Sequence, residues 1–170
     1  MTIQISTPIR DEVAAALRVG DTVEITGYIL CGRDAVLPKV VECVKAGRQD
    51  ALGVDLRGSV IFHTAVSPAG VGPTSSNKLE IESSIEPLSQ AGVKLHLGKG
   101  KIHPETVAAL AREGAVYAVI PPVTALLGAK TLSQELVAFP ELGMEALYRL
   151  KVERYPAIIA AAQGRSIYEL

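Results

Sequence analysis

The sequence contains no tryptophan, and aromatic residues make up only 4% of a chain that is 48% hydrophobic. The core must therefore be built from valine, isoleucine, leucine and alanine. The two cysteines, Cys31 and Cys43, have the spacing of neither a metal site nor a disulfide framework. The three histidines, His63, His96 and His103, also lack metal-ligand spacing. We therefore expect no metal site in this chain, and a reducing compartment, the cytoplasm.

The sequence also lacks a large excess of positive or negative charge, and it lacks long apolar runs. The formal net charge is −1, which argues against nucleic-acid or anionic-membrane binding. The apolar runs are too short, and too interrupted by Gly and Pro, to span a bilayer, and we see no signal peptide. The aliphatic surplus is typical of a chain that covers one face with a partner. We therefore predict an oligomer, either a homodimer or a complex with another subunit.

Hydrophobic periodicity predicts alternating strands and helices. Strands are predicted at 22–30, 60–65, 93–97, 115–120, 147–152 and 157–162, with 132–139 extended. Helices are predicted at 10–17, 34–46, 76–90, 104–112 and 124–129, and a loop at 66–72. This order predicts one three-layer α/β domain over residues 1–170, with a mixed sheet because of the two closing strands.

Residues 72–78 read Gly-Pro-Thr-Ser-Ser-Asn-Lys at the start of a predicted helix. Backbone N–H groups and the helix dipole attract anions at such a position. One hydroxyl would suffice for an N-cap, whereas three follow one another from Thr74 through Ser76, so the pattern favours an anion site over a plain cap. The positive charge of Lys78 is unfavourable next to the positive end of the helix dipole. A bound carboxylate would compensate this cost.

Two further segments have the same character. Lys99 lies between Gly98 and Gly100 after a predicted strand, where glycine lets the backbone approach a ligand; a solvated surface loop is an equal alternative. Arg33 follows the strand at 22–30, and Asp34 is predicted to cap the next helix, which leaves Arg33 free to bind a carboxylate bidentately. These three segments together predict one composite anion pocket at strand ends.

The chain resembles the β subunit, or C-terminal domain, of the iron–sulfur-dependent class I fumarases and L-tartrate dehydratases. The motifs that carry the resemblance are Arg33-Asp34-Ala35, Gly72-Pro73-Thr74-Ser75-Ser76, Gly98-Lys99-Gly100, Glu141-Leu142-Gly143-Met144-Glu145-Ala146 and Tyr155-Pro156-Ala157. The resemblance implies a swivelling β/β/α domain and a small dicarboxylate substrate. It also implies a larger α subunit that holds a 4Fe–4S cluster, which this chain does not bind.

The resemblance further implies a role for each site residue. Thr74 would be the catalytic base, or would orient the attacking water. A threonine hydroxyl would need a neighbour to act as a base, such as Lys99, the cluster iron or an α-subunit carboxylate. Arg33 and Lys99 would bind substrate carboxylates. The remaining substrate-binding residues would be Gly72, Ser75, Lys78 and Gly98.

The leading functional hypothesis is the reversible hydration of fumarate to malate, with activity only in complex with the α subunit. Dehydration of tartrate or another small hydroxy acid is the alternative within the same chemistry. A non-catalytic anion-binding assembly module is the alternative from another class. Leu37, where the family usually has histidine, and Lys78, where it usually has arginine, favour that last alternative.

Overall fold

The computed structural model describes residues 2–67, 70–74, 78–120 and 129–169. The helices are α1 (Asp11–Ala16), α2 (Leu37–Lys45), α3 (Lys78–Gln90) and α4 (Pro104–Arg112), with 3-10 segments at Gln49–Leu52, Pro140–Glu145 and Ile167–Glu169. The strands are β1 (Thr2–Ser6), β2 (Thr22–Cys31), β3 (Val60–Phe62), β4 (Thr64–Ser67), β5 (Gly70–Thr74), β6 (Leu95–Gly98), β7 (Val116–Val119), β8 (Thr131–Ala138), β9 (Leu147–Ala162) and β10 (Arg165–Ser166). The predicted mixed α/β fold is confirmed.

The main sheet has eight strands and closes on itself. Strand β2 pairs in parallel with β1 along its first half and with β3 at its end, and β6 and β7 extend this parallel series. Strand β9 pairs antiparallel with β2 on one side and with β7 on the other. The ladder therefore returns to β2. Strands β8 and β10 add antiparallel pairs to β9.

Alternating side chains of the strands explain where the core lies. One face of β1, β2, β3, β6, β7 and β9 contributes to a common, largely aliphatic cluster that includes Val60, Phe62, Leu95, Leu97, Val116 and Ala118. The opposite face packs against helices. In α2, Leu37, Val40 and Cys43 recur every three residues and are buried there, which is the spacing of a one-sided helix. Pro104 begins α4, where its missing N–H removes no helical hydrogen bond.

One long strand replaces the two closing strands that the sequence predicts. β9 runs for 16 residues through Tyr155-Pro156, so the predicted break there is wrong. Arg154 adopts a φ of 50°, and its backbone N–H donates to the Thr26 hydroxyl (3.0 Å). The β2–β9 register shifts between Ile25 and Gly27. An irregularity of this kind lets a strand pass a proline without ending.

The segment predicted as a loop at 66–72 is also different in the structure. Strands β4 and β5 form an antiparallel pair there, with Val66 opposite Val71 and Ser67 opposite Gly70. Strand β1, which the sequence pattern did not predict, pairs along the first half of β2. Most of the predicted helix at 124–129 lies outside the described residues. None of the described helices has the length and apolar character needed to cross a bilayer.

Gly58, just before β3, gives a stability prediction with an internal control. Gly53 and Gly58 share left-handed backbone, with φ of 72° and 74°. A Cβ on Gly58 would lie 2.8 Å from the Ile9 carbonyl oxygen, whereas a Cβ on Gly53 meets nothing within 4 Å. We expect Gly53→Ala to cost about 1 kcal/mol of unfolding free energy and Gly58→Ala about 2–3 kcal/mol more.

Denaturant unfolding of the two alanine variants measures this difference. Equal losses of unfolding free energy in both variants would show that the close packing at Gly58 contributes nothing.

Candidate active site

The carboxyl ends of the parallel strands meet at one edge of the sheet. Immediately after β2, the Gly32 N–H donates to the Phe62 carbonyl of β3 (3.1 Å). Immediately after β3, the His63 N–H donates to the Leu97 carbonyl of β6 (3.0 Å). Residues that follow these strands are therefore neighbours. Ligands of α/β proteins commonly bind at such an edge.

The β4–β5 pair brings Thr74 back to the same edge. Thr64 begins β4 two positions after Phe62, and Thr74 is its register partner in β5. Because the sheet order is β2–β3–β6, the Thr74 backbone returns beside β3, between the strands that precede Arg33 and Lys99. Gly72 lies within β5.

Two other predicted site residues flank this segment. Lys78 is the first residue of α3. Ser75, and the side chains of Thr74 and Lys78, lie outside the described part of the chain, so their roles stay predictions.

Arg33 is engaged by a carboxylate of its own chain. Its Nε donates to Oε2 of Glu145 at 3.3 Å, and its Nη2 contacts Oε1 of the same group. Both side chains are about one-quarter exposed, at 25% and 27%. The hydrogen bond to Glu145 raises the pKa of Arg33, which therefore stays cationic. The expectation that Arg33 is entirely free for a ligand is thus wrong for one edge of its guanidinium group.

The expected cap of α2 is also wrong. Asp34 does not cap the helix, which has Val36 at its N-cap position without a side-chain hydrogen bond. Instead, the Arg33 carbonyl accepts the N–H groups of Val36 and Leu37. The helix therefore starts later than predicted, and this turn fixes the Arg33 backbone at the sheet edge. Leu37 is 1% exposed in the aliphatic cluster beneath α2.

Lys99 projects from a loop that a buried tyrosine anchors. Gly98 is buried, and a Cβ there would lie 3.0 Å from the Tyr117 hydroxyl. That hydroxyl donates to the Gly100 carbonyl (3.1 Å). Burial raises the pKa of Tyr117, so its hydroxyl remains a donor. Lys99 itself is exposed, at the end of a loop whose flanking glycine backbone is held in place.

A buried histidine pair lies behind the edge. His63 and His96 are both 0% exposed, with 3.3 Å between His63 Nε2 and His96 Nδ1. His96 Nε2 lies 2.9 Å from the Ser89 hydroxyl of α3. Among the described residues, Nδ1 of His63 has no hydrogen-bond partner. The expectation of core or surface histidines holds, since His103 is the exposed N-cap residue of α4.

Acid should destabilise the fold through this pair. Burial lowers the pKa of His63 from 6.5 to about 4 and that of His96 well below 6.5. The unfolded chain takes up these protons near pH 6.5, whereas folded His63 resists protonation until about pH 4. We expect the unfolding free energy to fall by about 3 kcal/mol through His63 alone as the pH drops across that window.

Chemical unfolding of wild type and His63→Gln at several pH values tests this. His63→Gln should flatten the dependence between pH 6.5 and 4, because glutamine does not titrate. Identical slopes for wild type and His63→Gln would contradict the assignment.

Comparison with known proteins decides the family. The model of the fumarase C-terminus family matches residues 1–170. The chain belongs to the fumarase C-terminus family. The resemblance stated from its motifs is therefore confirmed.

Curated relatives of this fumarase C-terminus chain are of two kinds. The L(+)-tartrate dehydratase subunit beta of Escherichia coli K12 is 30% identical over 168 residues, which cover 92% of this chain and 81% of that protein. The anaerobic class I fumarate hydratase of the same organism is 31% identical over 151 residues, 83% of this chain and 27% of that protein. A putative class I fumarate hydratase of Geobacillus stearothermophilus is 29% identical over 185 residues, which cover 98% of this chain and 34% of that protein. The chain thus spans about a third or less of either fumarate hydratase.

The fumarase C-terminus chain does not itself offer a site for an iron–sulfur cluster. Clusters are held by several cysteine thiolates, and this sequence has two cysteines. Cys31 and Cys43 are both buried, in different core clusters. Burial also raises the pKa of Cys31, which disfavours the thiolate form. Among the described residues, no group of three or more His, Cys, Asp or Glu side chains could hold a metal ion.

Sequence reasoning missed Glu145 as a site residue. The Glu141–Ala146 motif that helped to carry the resemblance contains it, but nothing in the local pattern links it to Arg33. The two residues are 112 positions apart. They meet because β2 pairs with β9 so that Cys31 lies opposite Tyr148.

Proposed function

We propose that this chain is the β-type subunit of an iron–sulfur-dependent hydro-lyase that reversibly hydrates fumarate to malate. The observation that carries the proposal is the meeting of the Arg33, Thr74 and Lys99 segments at one sheet edge in a chain of the fumarase C-terminus family. Strands in a sheet are about 4.8 Å apart, so the strands preceding Arg33 and Lys99 are separated by about 10 Å. Two long cationic side chains at that spacing can bind the two carboxylates of a small diacid.

In this proposal each residue has a defined part. The guanidinium group of Arg33 binds one substrate carboxylate through two parallel hydrogen bonds, and the ammonium group of Lys99 binds the other. The hydroxyl of Ser75, the ammonium of Lys78 and the backbone at Gly72 and Gly98 line the rest of the pocket.

Thr74 acts on the water. Hydration adds a hydroxyl group from water to one alkene carbon and a proton to the other. A threonine hydroxyl holds its own proton tightly at neutral pH, so Thr74 acts as a base only with help from Lys99 or a partner-subunit group. Without that help it orients the water.

The cluster and the larger subunit complete the proposed enzyme. We infer that a 4Fe–4S cluster is held by the α subunit, because the two buried thiols of this chain do not fit one. The β-type chain then forms a single swivelling β/β/α domain that closes over a substrate held by the partner. We place this complex in the cytoplasm, in line with two free buried thiols.

Tartrate dehydration is the second candidate, and one observation favours it. The alignment with the E. coli tartrate dehydratase beta subunit covers 92% of this chain, compared with 83% for the fumarate hydratase of the same organism. An assembly module without activity is less well supported, since it has no need of Arg33, Thr74 and Lys99 at one edge.

Anaerobic reconstitution with the α subunit tests the proposal. Fumarate consumption, followed by its ultraviolet absorbance, should require both subunits, and neither should be active alone. Faster turnover of L(+)-tartrate than of fumarate would select the second candidate. A stable complex that turns over neither substrate would support the assembly module and reject the proposal.

A further inference from the structure

The contact between Arg33 and Glu145 uses one particular edge of the guanidinium group. A guanidinium has five N–H donors, arranged so that two different edges can each bind a carboxylate. Glu145 takes the edge formed by Nε and Nη2. Within the described ranges, no side chain is hydrogen-bonded to the other edge, which Nη1 and Nη2 form. As far as the described residues show, this second edge is available to bind another carboxylate bidentately.

Glu145 is held in place by the fold on both sides. It ends the 3-10 segment Pro140–Glu145, and the next residues, Ala146 and Leu147, are 1% and 0% exposed. The Tyr148 hydroxyl donates to the Gly143 carbonyl (3.3 Å), which ties this segment to β9. The carboxylate thus projects from an anchored turn toward the carboxyl end of β2.

A carboxylate in this position can do one of two things. As a placeholder, it would occupy the binding edge of Arg33 and leave when substrate arrives. As a support, it would fix the side chain and remain. The occupied edge is the one nearer the Arg33 backbone, and the edge at the tip of the side chain has no hydrogen-bond partner among the described residues, which favours the support.

We propose that Glu145 is a positioning residue, which holds the Nε edge of Arg33 so that the Nη1–Nη2 edge meets a substrate carboxylate. The inference rests on the proposed function, because it takes the ligand to be a dicarboxylate bound at this sheet edge. An arginine already fixed in its binding geometry loses less conformational freedom when the ligand arrives. Removal of Glu145 should therefore weaken binding more than it slows chemistry.

The reconstituted complex gives the kinetic arm of the test. Glu145→Ala should raise KM for the better substrate on the order of ten- to a hundredfold, with a smaller change in kcat, and Glu145→Asp should recover part of the loss. The control is Glu135→Ala, which removes a comparable Glu–Arg pair with Arg149 on β8 and β9; it should leave KM unchanged. In an Arg33→Ala background, Glu145→Ala should cause no further loss and should recover part of the activity, because it removes an unpaired carboxylate.

Three kinetic results would contradict the role proposed for Glu145. A lower KM in Glu145→Ala would show a placeholder, and an unchanged KM would show a merely structural pair. An additive effect in the Arg33→Ala background would show that Glu145 does not act through Arg33. Each of these three results overturns the inference.

A spectroscopic arm is independent of turnover. In the 15N-labelled full chain, the Nε–H resonance of Arg33, assigned by its loss in Arg33→Lys, should be visible in wild type and broadened in Glu145→Ala. It should persist when succinate is titrated in, and Glu145→Ala should weaken succinate binding. If the wild-type complex hydrates or dehydrates nothing, the proposed function fails while this arm still decides the role of Glu145. Loss of the resonance on succinate addition, or unchanged succinate binding in Glu145→Ala, would overturn the inference.

Discussion

Replacing Arg33 with alanine is expected to lower kcat/KM of the reconstituted enzyme by about a thousandfold. Two effects add. The substrate loses a charge-assisted bidentate partner, which is among the stronger polar interactions in proteins. The carboxylate of Glu145, which Arg33 neutralises in the native chain, is left unpaired beside an anionic substrate. Truncating one partner of such a pair typically costs 2–5 kcal/mol or more, much of it from the charge left behind.

Arg33→Lys is the matched variant for this prediction. It keeps the positive charge but loses the planar fork, so it should retain activity between those of wild type and Arg33→Ala. The double variant Arg33→Ala with Glu145→Ala should be more active than Arg33→Ala alone, because the repulsive carboxylate is gone. Steady-state kinetics over a range of substrate concentrations measures all three. Wild-type kcat/KM in Arg33→Ala would remove Arg33 from the site.

Replacing Thr74 with alanine is expected to reduce kcat by about a hundred- to ten-thousandfold, the range for losing a group that assists proton transfer. KM should change much less, because Arg33 and Lys99 still bind the carboxylates. The backbone position of Thr74, opposite Thr64 at the start of β4, places the substitution at the sheet edge. Thermal unfolding of the variant, compared with that of wild type, shows whether a loss of kcat comes from a loss of folded protein.

Thr74→Ser separates the hydroxyl from the methyl group. It retains the hydroxyl, so it should recover most of the activity lost in Thr74→Ala. Ser75→Ala serves as the neighbouring control and should affect KM more than kcat, because Ser75 has only a binding role in the proposal. An unchanged kcat in Thr74→Ala would show that another residue handles the water.

The sequence predicted best those elements whose pattern is local. Helices α2 and α4 carry apolar residues at helical spacing, and β2 carries alternating ones, so their existence followed directly. Strand pairing is not local. Nothing in the residues around Tyr155-Pro156 indicates that β2 pairs with β9 on both sides of the proline, and nothing in Thr2–Ser6 shows that β2 provides a parallel partner.

The residues of the candidate site also differ in whether the local sequence pattern could predict them. Arg33, Thr74 and Lys99 could be selected because each belongs to a glycine-flanked polar segment. Parallel strands carry the Arg33 and Lys99 segments to one edge, whereas the antiparallel β4–β5 pair, which the sequence did not predict, returns Thr74 there. Glu145 could not, because its partner is set by the register between β2 and β9. The free edge of Arg33 likewise depends on which nitrogen atoms Glu145 binds, and residue order carries no information about that choice.

The most direct test is a crystal structure of the assembled two-subunit enzyme with a bound, unreactive dicarboxylate such as succinate. One carboxylate should lie within hydrogen-bonding distance of Arg33 Nη1 and Nη2, and the other near Lys99 Nζ, with the Thr74 hydroxyl beside the carbon chain. Glu145 should still contact Arg33 Nε. A dicarboxylate bound in that complex on another face of this chain, away from Arg33 and Lys99, would contradict the account.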